Sequence, residues 1–165
     1  MLVREVTLSD AENFGYLTQQ VEMTSDFMLW EAGERKASPG QQRKMIERID
    51  ADDNSTILVA EEKNQLIGFV MAIGGTAKRN RHSVYLVIGI LKESRGKGVG
   101  TKLFEELEKW ALTHQIHRLE LTVVTRNVAG LGLYQKMGFE VEGTKRDSLL
   151  IDGEYVDEYY MSKLL

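Results

Sequence analysis

An apolar run over residues 83–91 stops at Lys92-Glu93-Ser94-Arg95-Gly96-Lys97-Gly98-Val99-Gly100-Thr101, a basic, glycine-rich turn that opens directly into an amphipathic helix. This order of strand, turn and helix restricts the fold to one in which a helix N-terminus faces a ligand. Glycines at 96, 98 and 100 carry no Cβ to hold a ligand off the backbone, and the amides of the first helical turn have no acceptor within the helix. Free amides and the helix dipole attract anions. Arg95 and Lys97 add positive charge, and nothing acidic lies between Ser94 and Lys102. The turn is therefore expected to hold phosphate.

The rest of the chain alternates strand and helix signals. Residues 2–6 form a short apolar strand. Ser9-Asp10-Ala11-Glu12 has the form of a capping box, and its helix puts Ala11, Phe14, Leu17 and Val21 on one face. After a loop through Arg35, Ser38-Pro39-Gly40-Gln41 supplies an N-cap, a proline at the first helical position and a reciprocal glutamine. That helix should stop near Asp50. Residues 56–60 and 66–73 read as a hairpin around the turn at 62–65. Val99, Leu103, Leu107, Trp110 and Ala111 recur at helical spacing after the glycine turn. Residues 118–124 form a buried strand, and Asn127 stands where it caps a short helix ending at Gly138. Residues 139–142 and 155–161 are the last strands, joined through Asp152-Gly153, a hairpin turn signal. The expected architecture is α/β: a mixed, mostly antiparallel central sheet of about seven strands with helices on both faces, one domain over residues 1–165.

Composition narrows the function. A net charge of -4 and a pI near 5.5 argue against a nucleic-acid coat, so a local anion site points to a small ligand. With no cysteine there is no disulfide framework, thiolate metal site or cysteine nucleophile. The three histidines, His82, His114 and His117, do not form a metal-ligand pattern, and no metal site is indicated. The first residues lack the apolar segment of a secretion signal, and no apolar run approaches the roughly 20 residues that span a bilayer. No membrane association is expected, and the cytoplasm is the expected location.

Three phosphate-binding patterns compete for the turn. A P-loop requires Lys-Ser or Lys-Thr after its last glycine, whereas Gly100-Thr101-Lys102 inverts the order. The dinucleotide fingerprint requires Gly-x-Gly-x-x-Gly and an acidic residue ending the next strand, which here ends Val124-Thr125-Arg126. The third pattern, Arg/Gln-x-x-Gly-x-Gly/Ala, is satisfied at every position from Arg95 to Gly100. At this point the chain resembles the GNAT N-acetyltransferase superfamily, whose members use acetyl-CoA. A second signature lies downstream, in Asn127, Ala129, Leu133-Tyr134, Lys136 and Gly138-Phe139. Gly130 and Gly132 depart from it, since glycine in a helix costs about 1 kcal/mol against alanine. They read either as close backbone approach to the cofactor or as a short, poor helix.

The resemblance implies roles residue by residue. Backbone groups from Ile88 through Ile90 to Leu91 would pair with the pantetheine arm like an added strand. The amides of Gly96, Lys97, Gly98, Val99, Gly100 and Thr101 would hold the pyrophosphate, with Arg95 and Lys97 nearby. Asn127 would contact the pantetheine chain or serve only as a cap. Lys136 would lie near the ribose phosphate or be a solvated helix residue. Tyr134 matches the tyrosine that many members place beside the thioester sulfur, where a phenol donates to the leaving group, and its alternative is a plain core tyrosine. For the base, Glu120 alternates with Leu119 and Leu121 on a strand expected to line the cleft, with Glu22, Glu31 and Tyr85 as further candidates acting through water.

The expected function is transfer of the acetyl group of acetyl-CoA to a primary amine of a small acceptor, of amino-acid or polyamine type. Glu22 and Glu31, with Tyr155 and Asp157 from the last hairpin, are the expected acceptor contacts, because the loop after residue 21 and that hairpin are rich in acidic residues that would draw in a cation. A solvated acidic surface explains the same residues. Two other functions compete: acetylation of a protein or peptide amine, and acyl-CoA sensing without turnover. Many members of the superfamily pair as homodimers, and a dimer interface is a further expectation that the resemblance allows.

Overall fold

The computed structural model describes residues 1–36 and 38–165. Seven strands form one sheet: β1 (Leu2–Glu5), β2 (Thr56–Glu62), β3 (Gln65–Gly74), β4 (Ser83–Ile90), β5 (Arg118–Val124), β6 (Glu140–Ile151) and β7 (Glu154–Leu164). Their order is β1-β2-β3-β4-β5-β7-β6. All neighbours run antiparallel except β4 and β5. Four helices cover the sheet: α1 (Ala11–Thr24), α2 (Pro39–Ala51), α3 (Val99–Thr113) and α4 (Val128–Lys136). This is the mixed, mostly antiparallel α/β architecture expected from the sequence.

The two faces can be told apart by what packs on them. Side chains alternate between faces along a strand. A Cβ at Gly89 would lie 2.9 Å from Val21 of α1, which puts Tyr85, Val87 and Gly89 on the α1 face. A Cβ at Gly68, the cross-strand partner of Ile90, would lie 3.1 Å from Val99, which puts Ile88 and Ile90 on the α3 face. β2 and β3 are covered on both sides, and residues 57–60 and 66–70 apart from Gly68 supply core side chains such as Val59 and Val70. Against this core α3 buries Leu103, Phe104 and Leu107, while α1 buries Phe14, Leu17 and Val21.

Local chemistry explains where the helices start. Ser38 Oγ accepts from Gln41 N at 3.2 Å and Gln41 Oε1 accepts from Ser38 N at 2.8 Å, the reciprocal box expected for α2. At α1 the box sits two residues earlier than Ser9. Thr7 N donates to Asp10 Oδ2 at 2.8 Å, closing a short 3-10 turn over Leu8–Asp10 before the helix. Arg4 is the reason: its Nη1 and Nη2 hold both Asp10 oxygens, at 2.8 and 3.0 Å, and hold the carboxyl down to a pKa of about 2. The last hairpin turns at Asp152 and Gly153, both left-handed, as the dipeptide suggests, but its strands are far longer than the apolar runs.

Candidate active site

Everything at the site follows from how β4 and β5 part. Their parallel ladder covers only Ser83↔Arg118, Val84↔Leu119 and Tyr85↔Glu120, and beyond it the strands diverge. Tyr85 and Thr122 close the fork, their hydroxyls 2.8 Å apart. On β4 the odd-numbered residues bond to β3, as Ser83 O and Leu91 N do at 3.0 and 2.9 Å, whereas His82 O bonds to Arg118 N on the β5 side. Alternation then directs the N–H and C=O of Ile88 and the N–H of Ile90 into the gap, where no strand meets them. A cleft of ≈ 1820 Å³ fills that gap and extends along α3, α4 and the end of α1.

The glycine turn forms one end of the cleft. Gly96 and Gly98 adopt φ of 71° and 81°, a region L side chains rarely enter, and a Cβ at either would meet no protein atom. The first helical bond of α3 is Lys102 N to Gly98 O at 3.1 Å, so the amides of Val99, Gly100 and Thr101 precede it without helical acceptors. No acidic residue lies in this first turn, and Lys136 Nζ reaches Thr101 Oγ1 at 3.2 Å. Gly100 is glycine for another reason: its Cβ would lie 2.7 Å from Leu133, so α4 can pack across the start of α3.

Three expected donor-side residues are placed differently from the reading above. Leu91 is buried and spends its amide on Ile67 O, so the open backbone ends at Ile90. Lys97 is exposed and does not line the cleft. Arg95 lines it, but its guanidinium bonds to Ile90 O at 3.2 Å and to Thr24 O at 3.4 Å, bracing the turn against the end of α1.

Asn127 and Tyr134 sit on α4. Asn127 Oδ1 accepts from Gly130 N at 3.0 Å, so the residue is the helix cap, and it also faces the cleft. Gly130 is explained by that cap, since its Cβ would lie 2.7 Å from Asn127 Nδ2. Gly132 lines the cleft with open space where a Cβ would be. Tyr134 is 8% exposed, packs edge-on against Phe104, with centroids 5.9 Å apart, and is among the residues lining the cleft. Burial first, and the neighbouring Tyr85 second, push its phenol up to a pKa of about 12. The phenol therefore stays protonated across the physiological range.

The acceptor-side expectations fare differently. Glu22 is buried at the cleft, but Arg35 holds it at 2.7 Å and lies in turn over the Trp30 ring, 5.1 Å from its centroid. Its charge is already matched. Glu31 is exposed and outside the cleft, as is Tyr155 at the tip of the last hairpin. Asp157 turns away and accepts from Asp147 N at 2.8 Å. Glu120 stands at the closed base of the fork, bound to Arg118 at 2.8 Å and facing a separate shallow depression beside His82. The parity of β7 explains the hairpin error: Met161 is a core residue paired with Leu121 on the α3 face, so Asp157 and Tyr159 share that side. Glu158 and Tyr160 face the cleft instead, joined by Lys145 and Ser148 of β6. Basic side chains outnumber acidic ones along the cleft by seven to three, the reverse of an acidic lure for cations.

An open parallel fork beside a glycine-capped helix gives this α/β protein a cleft with a free strand edge and unpaired helix amides, and comparison identifies the class. The acetyltransferase (GNAT) family model matches residues 22–139, and the chain belongs to that family. It is 32% identical to the GNAT-family acetyltransferase from Streptococcus pneumoniae, with a TM-score of 0.95 over 99% of this chain and 98% of that one. It is 39% identical over 93 residues to L-amino acid N-acetyltransferase AaaT of Escherichia coli (strain K12), a match taking in 53% of this chain and 56% of that protein. The chain thus aligns with little more than half the length of that relative. The fold is shared with yncA from Salmonella typhimurium, solved with its cofactor acetyl-CoA, at a TM-score of 0.88 and 19% identity over 99% of this chain and 93% of that one. Among the described residues no helix is long and apolar enough to cross a membrane.

Proposed function

We propose that this protein transfers the acetyl group of acetyl-CoA to the primary amine of a small acceptor, of amino-acid or polyamine type. The observation that carries the reading is the fork between β4 and β5, where unpartnered main chain, a glycine-capped helix and a buried phenol open into one cleft. Family membership supports the chemistry, and the named relative that acts on L-amino acids supports the acceptor class.

The residues present fit an acyl-CoA. Ile88 and Ile90 offer main-chain groups to an amide-bearing arm, as a strand edge would. The amides from Gly98 to Thr101, with Lys136 beside them, offer donors to a pyrophosphate. Gly132, with open space where a Cβ would be, would leave room for the arm beside α4. When bound, acetyl-CoA supplies an acetyl group activated as a thioester. The chain's own contribution is to orient that group at the fork and exclude water around it. Tyr134, kept neutral by burial, would donate its hydroxyl proton to the departing thiolate. The acceptor, once its ammonium has lost one proton to solvent, would attack as the free amine and return its second proton to the phenolate.

The test is thiol release from acetyl-CoA across amino acids, polyamines and short peptides, with acetyl-CoA binding measured by calorimetry. Turnover with a small amine is the expected result, and binding without turnover of any acceptor would replace the transferase with a sensor. Tyr134→Phe should lower kcat about 100-fold while leaving acetyl-CoA affinity nearly unchanged. Undiminished turnover in that variant would remove Tyr134 from the chemistry.

A further inference from the structure

The acceptor half of the cleft contains a built irregularity. β6 and β7 pair in register at Lys145↔Glu158 and again at Leu149↔Val156, so three residues of β6 lie opposite one of β7. The extra length is a bulge of Arg146, Asp147 and Ser148, with Asp147 left-handed at φ 48° and its amide donating to Asp157 Oδ1 at 2.8 Å. Bulges beside active sites re-aim side chains. Here Ser148 is turned onto Glu158, donating from Oγ to Oε1 at 2.5 Å. That bond uses one carboxylate oxygen and holds the side chain still.

Lys145 is the cross-strand partner of Glu158, and partners in a ladder project to one face with Cβ atoms about 5 Å apart. Both line the cleft. Yet no ion pair joins Lys145 to a carboxylate among the described residues, and Glu158 is bonded to a serine rather than to its neighbouring cation. A carboxylate held by a serine and an exposed lysine with no ion-pair partner among the described residues therefore stand side by side along the cleft.

We propose that this pair recognises the acceptor as a zwitterion, an α-amino acid whose ammonium rests on Glu158 and whose carboxylate rests on Lys145. The inference rests on the acetyl-transfer reading above and narrows it. A single carbon separates the two charged groups of an α-amino acid, so a cation and an anion on adjacent strands match both at once. A polyamine brings nothing for Lys145, and the buried carboxylate of Glu22 is already committed to Arg35. A peptide N-terminus carries no carboxylate on the carbon next to its amine. Lys145 is exposed, so an acceptor without that group leaves its ammonium to water and forgoes only the attraction of the pair, which sets a modest preference for the acid. Ser148 is a positioning residue that acts through Glu158.

The experiment uses the full chain with acetyl-CoA and measures thiol release with each L-α-amino acid beside its α-amide, its decarboxylated amine, spermidine and a dipeptide. At least one amino acid should exceed its own amide by about 5-fold in kcat/KM. Lys145→Gln should raise KM for that amino acid by about 5-fold and bring the acid and amide together. Glu158→Gln should lower kcat/KM for both. Ser148→Ala should raise KM alone, with Ser148→Thr restoring it, and the acetyl-CoA Kd should stay within about twofold in every variant. Turnover that favours spermidine, the dipeptide or the amides would overturn the zwitterion while leaving acetyl transfer in place. A preference for the acid that survives Lys145→Gln would overturn it as well. Thiol release with none of these acceptors, alongside intact acetyl-CoA binding, would overturn the transferase reading and the zwitterion with it.

Discussion

The two halves of the cleft are built from different materials. On the side proposed for the donor the groups on offer are main chain: the open edge of β4, the amides at the start of α3, and the space left by Gly132. On the side proposed for the acceptor they are side chains, Glu158, Lys145, Tyr160 and Ser148, carried by two long strands whose register breaks in a bulge. Backbone chemistry requires glycine at fixed spacing and so leaves a mark in the sequence. Side-chain chemistry depends on which face a residue takes, and one bulge or one step of register changes that. The donor can therefore be common to a family while the acceptor is particular to a chain.

The largest effect that bears on this contrast is expected at Gly98. Its left-handed backbone and the empty space at its Cβ leave nothing in the protein for a side chain to strike. Gly98→Val should therefore cost stability through backbone strain of about 1–3 kcal/mol, and in addition displace the anion from the amides behind it. Acetyl-CoA affinity should fall about 100-fold, as expected when one or two hydrogen bonds to a charged group are lost. KM for the acceptor should change little at saturating donor. A variant that binds acetyl-CoA normally would break the claim that the donor half works through its backbone.

What the sequence made legible follows the same division. The glycine turn, the cap at Asn127, the box at Ser38 and the turn at Asp152-Gly153 are local features, and all four stand where the residues place them. The seven-stranded mixed sheet follows from strand and helix signals in order. The failures are non-local. Reading Asp157 and Tyr155 toward the cleft requires knowing that Met161 enters the α3-side core, which only the pairing with Leu121 decides. Placing Glu120 in the cleft requires knowing that the β4–β5 ladder ends at that residue. The α1 box was displaced by Arg4, a strand residue whose reach to Asp10 no capping pattern contains. Lys97 and Leu91 lie inside or beside the glycine-turn motif, yet the turn geometry points one to solvent and the other into the core.

A change outside both halves should disturb them equally, which gives the contrast a control. Asp10 is buried and held by Arg4 at the start of α1, a helix that carries Glu22 on the acceptor side and Thr24, the brace for Arg95, on the donor side. Its carboxyl is lowered from 3.8 to about 2, chiefly by the hydrogen bond from Arg4. A lowered carboxylate stabilises the fold fully above its unfolded value and loses that contribution as pH falls from near 4 through about 2. Asp10→Asn should therefore cost about 2 kcal/mol at neutral pH in urea unfolding, and the gap from wild type should close toward pH 2. Donor and acceptor constants should move together, if at all. A selective loss of either would show that α1 belongs to one half.

The smallest expected effect is at Glu120, and it discriminates most sharply between pattern and placement. By alternation along β5 this carboxylate belongs to the same face as Thr122, which lines the cleft, and a reading from the strand alone makes it a base. In the structure the ladder still pairs Tyr85 with Glu120, so the cleft has not yet opened at that level, and the Tyr85–Thr122 hydrogen bond closes it off. Arg118 takes the carboxylate at 2.8 Å and at the same time reaches Glu142 of β6. Removing the charge leaves Arg118 its second partner. Glu120→Gln should keep kcat and both Michaelis constants within about twofold, with a stability cost of no more than about 1 kcal/mol for a half-exposed pair. A large fall in kcat with an altered pH profile would return Glu120 to the chemistry and place the reacting amine at the base of the fork. Activity retained in this variant, beside activity lost in Glu158→Gln, would assign the acceptor half to β6 and β7.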